Sequence, residues 1–245
     1  MKVFSMTDTG IRRMMNQDYC FSSDSAIGNL PNLYIVSDGM GGHKAGDYAS
    51  RRTVERVVAS ALRNTANNPV EILKDAIKRA NEILVLESRN DDDKRGMGTT
   101  IVAATIADGR MYVANVGDSR LYIINQGIRQ VTMDHSYVEE MVRRGQLARE
   151  EARNHSEKHV ITKAVGADWN VEPDFFEVEL KKEDVVLLCS DGLTNMVTDE
   201  RICEVVCELK EPKKIVKQLV EEANFNGGSD NITVIVIDPY NEVRE

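Results

Sequence analysis

Short apolar runs that break off at aspartate turns recur along this chain, and they constrain its fold more than any other feature. Residues 33–36 stop at Ser37-Asp38-Gly39, residues 185–189 stop at Ser190-Asp191-Gly192, and residues 232–237 start directly after Ser229-Asp230-Asn231. Residues 99–107 and 110–116 flank Asp108-Gly109, a strong hairpin signal. Residues 121–124 lie between the turns Gly117-Asp118-Ser119-Arg120 and Asn125-Gln126-Gly127. Helical periodicity fills separate blocks, 45–62 with 69–87 and 199–209 with 212–223, with Val54, Val57, Val58 and Ala61 on one face of the first. Between the pairs, residues 136–168 are polar, charged and weakly periodic, which reads as a small helical excursion. Hairpins dominate and helices come in consecutive pairs, so the expected class is α+β, with antiparallel sheets covered by helices.

The chain of 245 residues is 42% hydrophobic, enough for one large domain, and no Pro-, Gly- or Ser-rich linker divides it. We therefore expect a single domain over 1–240, with the excursion at 136–168 as a flap. Lys+Arg 31 against Asp+Glu 40 gives a net charge of −9, which argues against a nucleic-acid partner because phosphate backbones require a basic footprint. The N-terminal residues lack an apolar signal region, and the longest apolar runs are too short to span a bilayer. Cys189 lies in a strand-like run, and Cys203 and Cys207 are four apart on a helical pattern. Reduced thiols in a cytoplasmic protein are expected, with no membrane association.

The placement of the aspartates carries the chemistry. Asp38 and Asp191 each follow an apolar strand and precede a glycine, Asp230 precedes a third such strand, and Asp18 follows Asn16-Gln17. Taken singly, each suits an ordinary turn. Taken together, these carboxylates abut buried-looking strands, where unpaired charge is expensive, and four converging negative charges would repel without a cation. Hard divalent cations take oxygen ligands of this kind. Alternative hydrolytic chemistries lack their residues. No cysteine is followed six residues later by arginine, no Gly-Lys-Ser/Thr loop occurs, and the four histidines (His43, His135, His155, His159) are not in Asp-x-His or Gly-Asn-His stretches.

Six segments then occur in a recognisable order: Arg13-Met14-Met15-Asn16-Gln17-Asp18, Ser37-Asp38-Gly39-Met40-Gly41-Gly42-His43, Gly96-Met97-Gly98-Thr99-Thr100, Asn115-Val116-Gly117-Asp118-Ser119-Arg120, Cys189-Ser190-Asp191-Gly192-Leu193 and Gly228-Ser229-Asp230-Asn231-Ile232-Thr233. The chain resembles the protein phosphatase 2C (PPM) family from about Ser5 to Ile237. Met141-Val142-Arg143-Arg144-Gly145-Gln146-Leu147 and Glu150-Glu151-Ala152-Arg153-Asn154-His155 further resemble its compact bacterial branch.

The resemblance implies a four-layer α-β-β-α sandwich with two central antiparallel β-sheets, a small helical flap, and a dinuclear manganese or magnesium centre at one edge. It implies Asp38 as the bridging ligand, the Gly39 carbonyl on one cation, Asp191 and Asp230 on the other, and Asp18 on metal-held waters. Asp118 with Asp191 would hold a third, weakly bound cation. Arg13 would clamp the substrate phosphate, and His43 is the candidate proton donor to the leaving alkoxide, with an exposed loop histidine as the other reading. The implied activity is a metal-dependent protein serine/threonine phosphatase, in which metal-activated water attacks phosphorus directly. Phosphoproteins would be its substrates, a bacterial serine/threonine kinase its opponent, and the enzyme a monomer. The alternatives are a regulatory phosphatase dedicated to one partner and a metal-binding pseudophosphatase scaffold. Gln17 departs from the family's pattern, since many relatives carry Glu there, and altered metal affinity is expected from the missing charge. His135 and His155 read as organisers of the excursion.

Overall fold

The computed structural model describes residues 1–42 and 45–240. The chain opens with β1 (Lys2–Asp8), β2 (Asp18–Ser23) and β3 (Leu33–Met40), followed by the helices α1 (Ala45–Ala61) and α2 (Pro69–Asn90). Strands β4 (Gly98–Thr99), β5 (Ile101–Ala107), β6 (Arg110–Val116), β7 (Arg120–Ile124) and β8 (Ile128–Gln130) come next. The short helices α3 (Tyr137–Arg143) and α4 (Arg149–Ala152) form the expected polar excursion. Then come β9 (Asp174–Glu179), β10 (Val185–Cys189), α5 (Asp191–Thr194), α6 (Asp199–Leu209), α7 (Pro212–Phe225) and β11 (Ile232–Asp238).

Two antiparallel sheets result. One has the order β1-β11-β10-β7-β8, the other β2-β3-β5-β6-β9, with β4 paired to β3. Alternation along the central strands explains why they read as unbroken apolar runs. In β3, Leu33 and Ile35 pack with α1 and α2 residues such as Val57 and Leu73, while Tyr34 and Val36 enter the space between the sheets. In β10, Leu187 and Cys189 pack with Ile202 of α6 and Leu219 of α7, while Val186 and Leu188 face the other sheet. Both faces of each sheet are therefore buried, which produces the α-β-β-α layering.

Edge strands are where sequence and structure differ. β1, β8 and β9, which the apolar pattern did not single out, all lie at sheet edges. The half-exposed pattern of β9 is typical of an edge strand and leaves no continuous apolar run. β3 also runs farther than its apolar stretch, because Asp38 pairs with Asp18, Gly39 with Thr99 and Met40 with Gly98. Asp191 opens the helix α5 and is not part of a turn.

The excursion is tied down at its base. Tyr137 donates to the Val160 carbonyl (2.8 Å), Thr162 donates to the His135 carbonyl (2.8 Å), and Thr99 pairs with Val165. Its N-terminal helix is capped by Ser136, whose side chain accepts from the Glu139 amide. Among the described residues, no helix is long and apolar enough to cross a membrane.

Candidate metal centre

The aspartates come together where the two sheets meet at one end. Asp18 and Asp38 are cross-strand partners on β2 and β3. Asp191 follows β10 and Asp230 precedes β11, at neighbouring strand ends of the other sheet. Asp118 sits in the turn that carries the chain from β6 in one sheet to β7 in the other. Asp18 and Asp118 are buried, and Asp38, Asp191 and Asp230 are half-buried.

Hydroxyls and amides hold this cluster in place. Asp18 Oδ2 accepts from Ser190 Oγ and from Thr233 Oγ1, each at 2.7 Å. A hydroxyl relay stands behind Thr233. Asn16 donates to Thr7 Oγ1 at 2.8 Å, which in turn lies 2.8 Å from Thr233 Oγ1. The Asp38 amide donates to Thr100 Oγ1 at 2.9 Å, and Thr100 Oγ1 lies 2.7 Å from Ser119 Oγ beside Asp118. Asp191 Oδ2 accepts from Asn195 at 2.8 Å. Asn231 fixes the loop that carries Arg13. Its side chain accepts from the Gln17 amide (2.8 Å) and donates to the Thr9 (2.8 Å) and Met15 (2.9 Å) carbonyls.

The electrostatics are strained in the direction that favours a cation. Burial pushes the Asp18 carboxyl up to about 7, with Asp191 and Asp230 adding repulsion and the two hydroxyls offsetting part of it. Burial raises Asp38 well above the carboxylate range, and the charges of Asp18, Asp191, Asp118 and Asp230 add to that. Asp118 is raised by burial and then by Asp191, and Asp191 by burial and then by Asp230. Asp18 Oδ1 and Asp191 Oδ1 are buried with no hydrogen-bond partner. Orphaned carboxylate oxygens among mutually repelling carboxylates fit hard divalent cations, which take oxygen donors. As the side chains stand, no three carboxylates, imidazoles or thiolates among the described residues are gathered closely enough to hold an ion. Arg13 occupies Asp230 Oδ2 at 2.7 Å.

The family model described as protein phosphatase 2C matches residues 11–222. The chain belongs to the protein phosphatase 2C family. It is 40% identical over 240 residues to the serine/threonine phosphatase stp of Listeria monocytogenes, covering 95% of this chain and 93% of that protein. The crystal structure of the serine/threonine phosphatase Stp1 from Staphylococcus aureus superposes with a TM-score of 0.90 at 35% identity, covering 96% and 93% of the two chains. The catalytic domain of the serine/threonine protein phosphatase PstP, crystallised in complex with two manganese ions, gives a TM-score of 0.84 at 30% identity, covering 96% of each chain. The four-layer fold expected from the family resemblance is the one found.

Of the site residues expected from sequence, the fold gathers Arg13, Asp18, Asp38, Gly39, Asp118, Asp191 and Asp230 at one end of the sandwich, while His43 lies outside the described residues. Sequence reasoning did not single out the supporting residues Ser190, Thr233, Thr100 and Asn231. All four stood inside the quoted motifs, with Ser190 and Asn231 each next to an aspartate, but Ser190 serves the distant Asp18 and not its neighbour Asp191. Pairing across 172 positions of sequence leaves no local signal.

Two further features adjoin the centre. A cavity of about 360 Å³ separates it from α3 and α4, lined by Asp118, Asp191, Arg120, Arg149, Arg153 and Lys158 among others. Arg120 makes a bidentate pair with Asp134, and Arg149 pairs with Glu139, so these guanidiniums are already engaged. Two of the four cysteines stand close by, Cys20 two residues after Asp18 and Cys189 two before Asp191. All four are unpaired, and burial pushes the Cys20 thiol up to about 11 and Cys189 higher still.

Proposed function

We infer that this protein is a metal-dependent protein serine/threonine phosphatase that hydrolyses phosphoserine and phosphothreonine in proteins. The observation that carries the reading is the buried, mutually repelling aspartate cluster with orphaned oxygens, in a chain of this family. Two divalent cations, manganese or magnesium, would act here as Lewis acids and lower the pKa of water for direct attack on phosphorus. In this reading Asp38, the Gly39 carbonyl, Asp191 and Asp230 would hold the cations. Asp18 would orient water through the Oδ1 that its hydroxyl partners leave free, and Asp118 with Asp191 would hold a third, weaker ion. Arg13 is half-exposed on a loop that Asn231 fixes, so its guanidinium can exchange Asp230 for a substrate phosphate, which its planar fork matches. His43 remains the candidate proton donor.

Phosphoprotein substrates, a cognate serine/threonine kinase, a monomeric state and a cytoplasmic setting belong to the same proposal, as does a single domain over residues 1–240. The test is phosphopeptide hydrolysis with and without chelator and after thiol alkylation. Activity is expected to need added manganese or magnesium, to vanish with EDTA and to survive alkylation. Activity unchanged by exhaustive chelation would overturn the reading, and manganese binding without hydrolysis would favour the scaffold alternative.

A further inference from the structure

We propose that His135 is the positioning residue for the Asp118 turn, acting through the two peptide groups that flank Gly117. The inference rests on the reading of Asp118 as a cation-holding residue only for its kinetic consequence, because the clamp itself is geometric. The Gly117 amide donates to His135 Nδ1 at 2.9 Å, and the His135 amide donates back to the Gly117 carbonyl at 3.0 Å. That carbonyl belongs to the peptide that carries the Asp118 nitrogen, so its direction fixes how Asp118 leaves the turn. Asn115 Nδ2 also donates to the Gly117 carbonyl (3.2 Å) and to that of Met133 (3.1 Å), closing the bracket.

The turn needs an external clamp because it cannot carry one of its own. Gly117 has φ +101°, and a Cβ there would lie 2.6 Å from Thr100 Cγ2, so no side chain fits at that position. The ring's tautomer follows from the donor. An amide N–H can only donate, so Nδ1 presents its lone pair and the proton sits on Nε2. Nε2 lies 3.1 Å from Asp174 Oδ2, which accepts from it, and also 3.1 Å from Lys163 Nζ, whose own protons go to the other oxygen of Asp174 at 3.1 Å and the Glu172 carbonyl at 3.0 Å. Asp174 opens β9, and Thr162 bonds the His135 carbonyl from the far end of the excursion. His135 thus joins one edge strand, both ends of the flap and the Asp118 turn. With both ring nitrogens engaged, its work is support of the turn.

The experiment uses the full chain and three variants. His135→Asn places an oxygen acceptor where Nδ1 stands, His135→Gln reaches only toward the Nε2 position, and His135→Ala supplies neither. Amide hydrogen exchange at Gly117 and Asp118 should accelerate in the Ala and Gln variants and stay near wild type in the Asn variant. Phosphopeptide turnover should fall about tenfold in the Ala and Gln variants, with Asn restoring most of it. In an Asp118→Ala background, His135→Ala should cost nothing further. Imidazole ¹⁵N spectra of the unmutated protein should show an unprotonated Nδ1 and a protonated Nε2, a readout that needs no variant to fold. A protonated Nδ1, or unchanged exchange at Gly117 and Asp118 in His135→Ala, would overturn the clamp. Equal losses in the Asn and Gln variants at matched thermal stability would reduce His135 to packing and overturn it too. Full turnover in Asp118→Ala alone would sink the cation reading of Asp118, while the exchange and ¹⁵N results would still decide the clamp.

Discussion

Asp18 and Asp38 stand directly opposite one another on β2 and β3, so two carboxylates share one face of the ladder at its innermost end. Like charges in that relationship destabilise a sheet, and burial makes the repulsion harder to screen. Burial, with repulsion from Asp191 and Asp230 behind it, raises the Asp18 carboxyl from its ordinary 3.8 to about 7, and burial with the Asp18 charge raises Asp38 well above the carboxylate range. Without metal, the folded protein keeps a proton that the unfolded chain has released across the interval from about 4 to about 7. Stability of the metal-free protein should therefore decline as pH rises through that window, and Asp38 extends the decline above it. Cations compete with those protons, so the rise in Tm at fixed manganese should grow with pH between those limits. Thermal unfolding with and without manganese across this range checks it, and a manganese effect independent of pH would count against the Asp18–Asp38 origin.

Ser190 and Thr233 both donate to the same oxygen of Asp18, which leaves the other oxygen free. Ser190→Ala or Thr233→Val should weaken manganese binding on the order of 10- to 100-fold, the usual cost of removing a partner that orients a ligand. Thr233→Ser, which keeps the hydroxyl, should retain most of the affinity. Calorimetric titration of the metal-free variants reads this directly.

Arg13 bonds Asp230 with half its side chain exposed to solvent, a pairing worth about 0–1 kcal/mol. Arg13→Ala should raise KM for phosphopeptide, with a loss on the order of 2–3 kcal/mol in transition-state binding, while manganese affinity holds or increases as Asp230 is released. Steady-state kinetics at saturating metal, beside a manganese titration, separate the two effects. A fall in metal affinity would show that Arg13 supports the cation site and does not clamp phosphate.

Gly192 follows Asp191 in α5, and a Cβ there would lie 1.9 Å from the Asn231 carbonyl oxygen. Gly192→Ala should cost about 1–3 kcal/mol in denaturant unfolding, the usual range for overpacking. Because Asn231 also fixes Gln17, Thr9 and Met15, the phosphopeptide KM should rise as well. Gly127→Ala, with nothing within 4 Å of the added carbon, serves as the control and should stay within about 0.5 kcal/mol.

His135 gives a second pH handle, of opposite sign to Asp18. Burial lowers its pKa, and Lys163 lowers it further, while Asp174 and Asp134 act the other way. A histidine held below its ordinary value takes up its proton more readily when unfolded, so its contribution to stability is present at neutral pH and is lost as pH falls below about 6.5. His135→Asn should flatten that acid limb in a comparison of Tm against pH at saturating manganese. An unchanged limb would assign it to other groups.

The central strands, the paired helices, the polar excursion and the aspartates were all legible in the sequence, because each rests on a local regularity. A strand buried on both faces must be largely apolar, and β5, β10 and β11 are. An aspartate at a strand end leaves its mark within three residues. The six ordered motifs carried the family. Tertiary structure alone decided the edge strands, the continuation of β3 through Asp38, and the partners of each carboxylate. Nothing near Asp18 in the sequence indicates that Ser190 and Thr233 will serve it, nor that His135 will hold Gly117 from 18 positions away. These contacts exist because the strand ends of two sheets meet at one edge, and sequence periodicity records which face a residue takes, while sheet packing sets what it meets there.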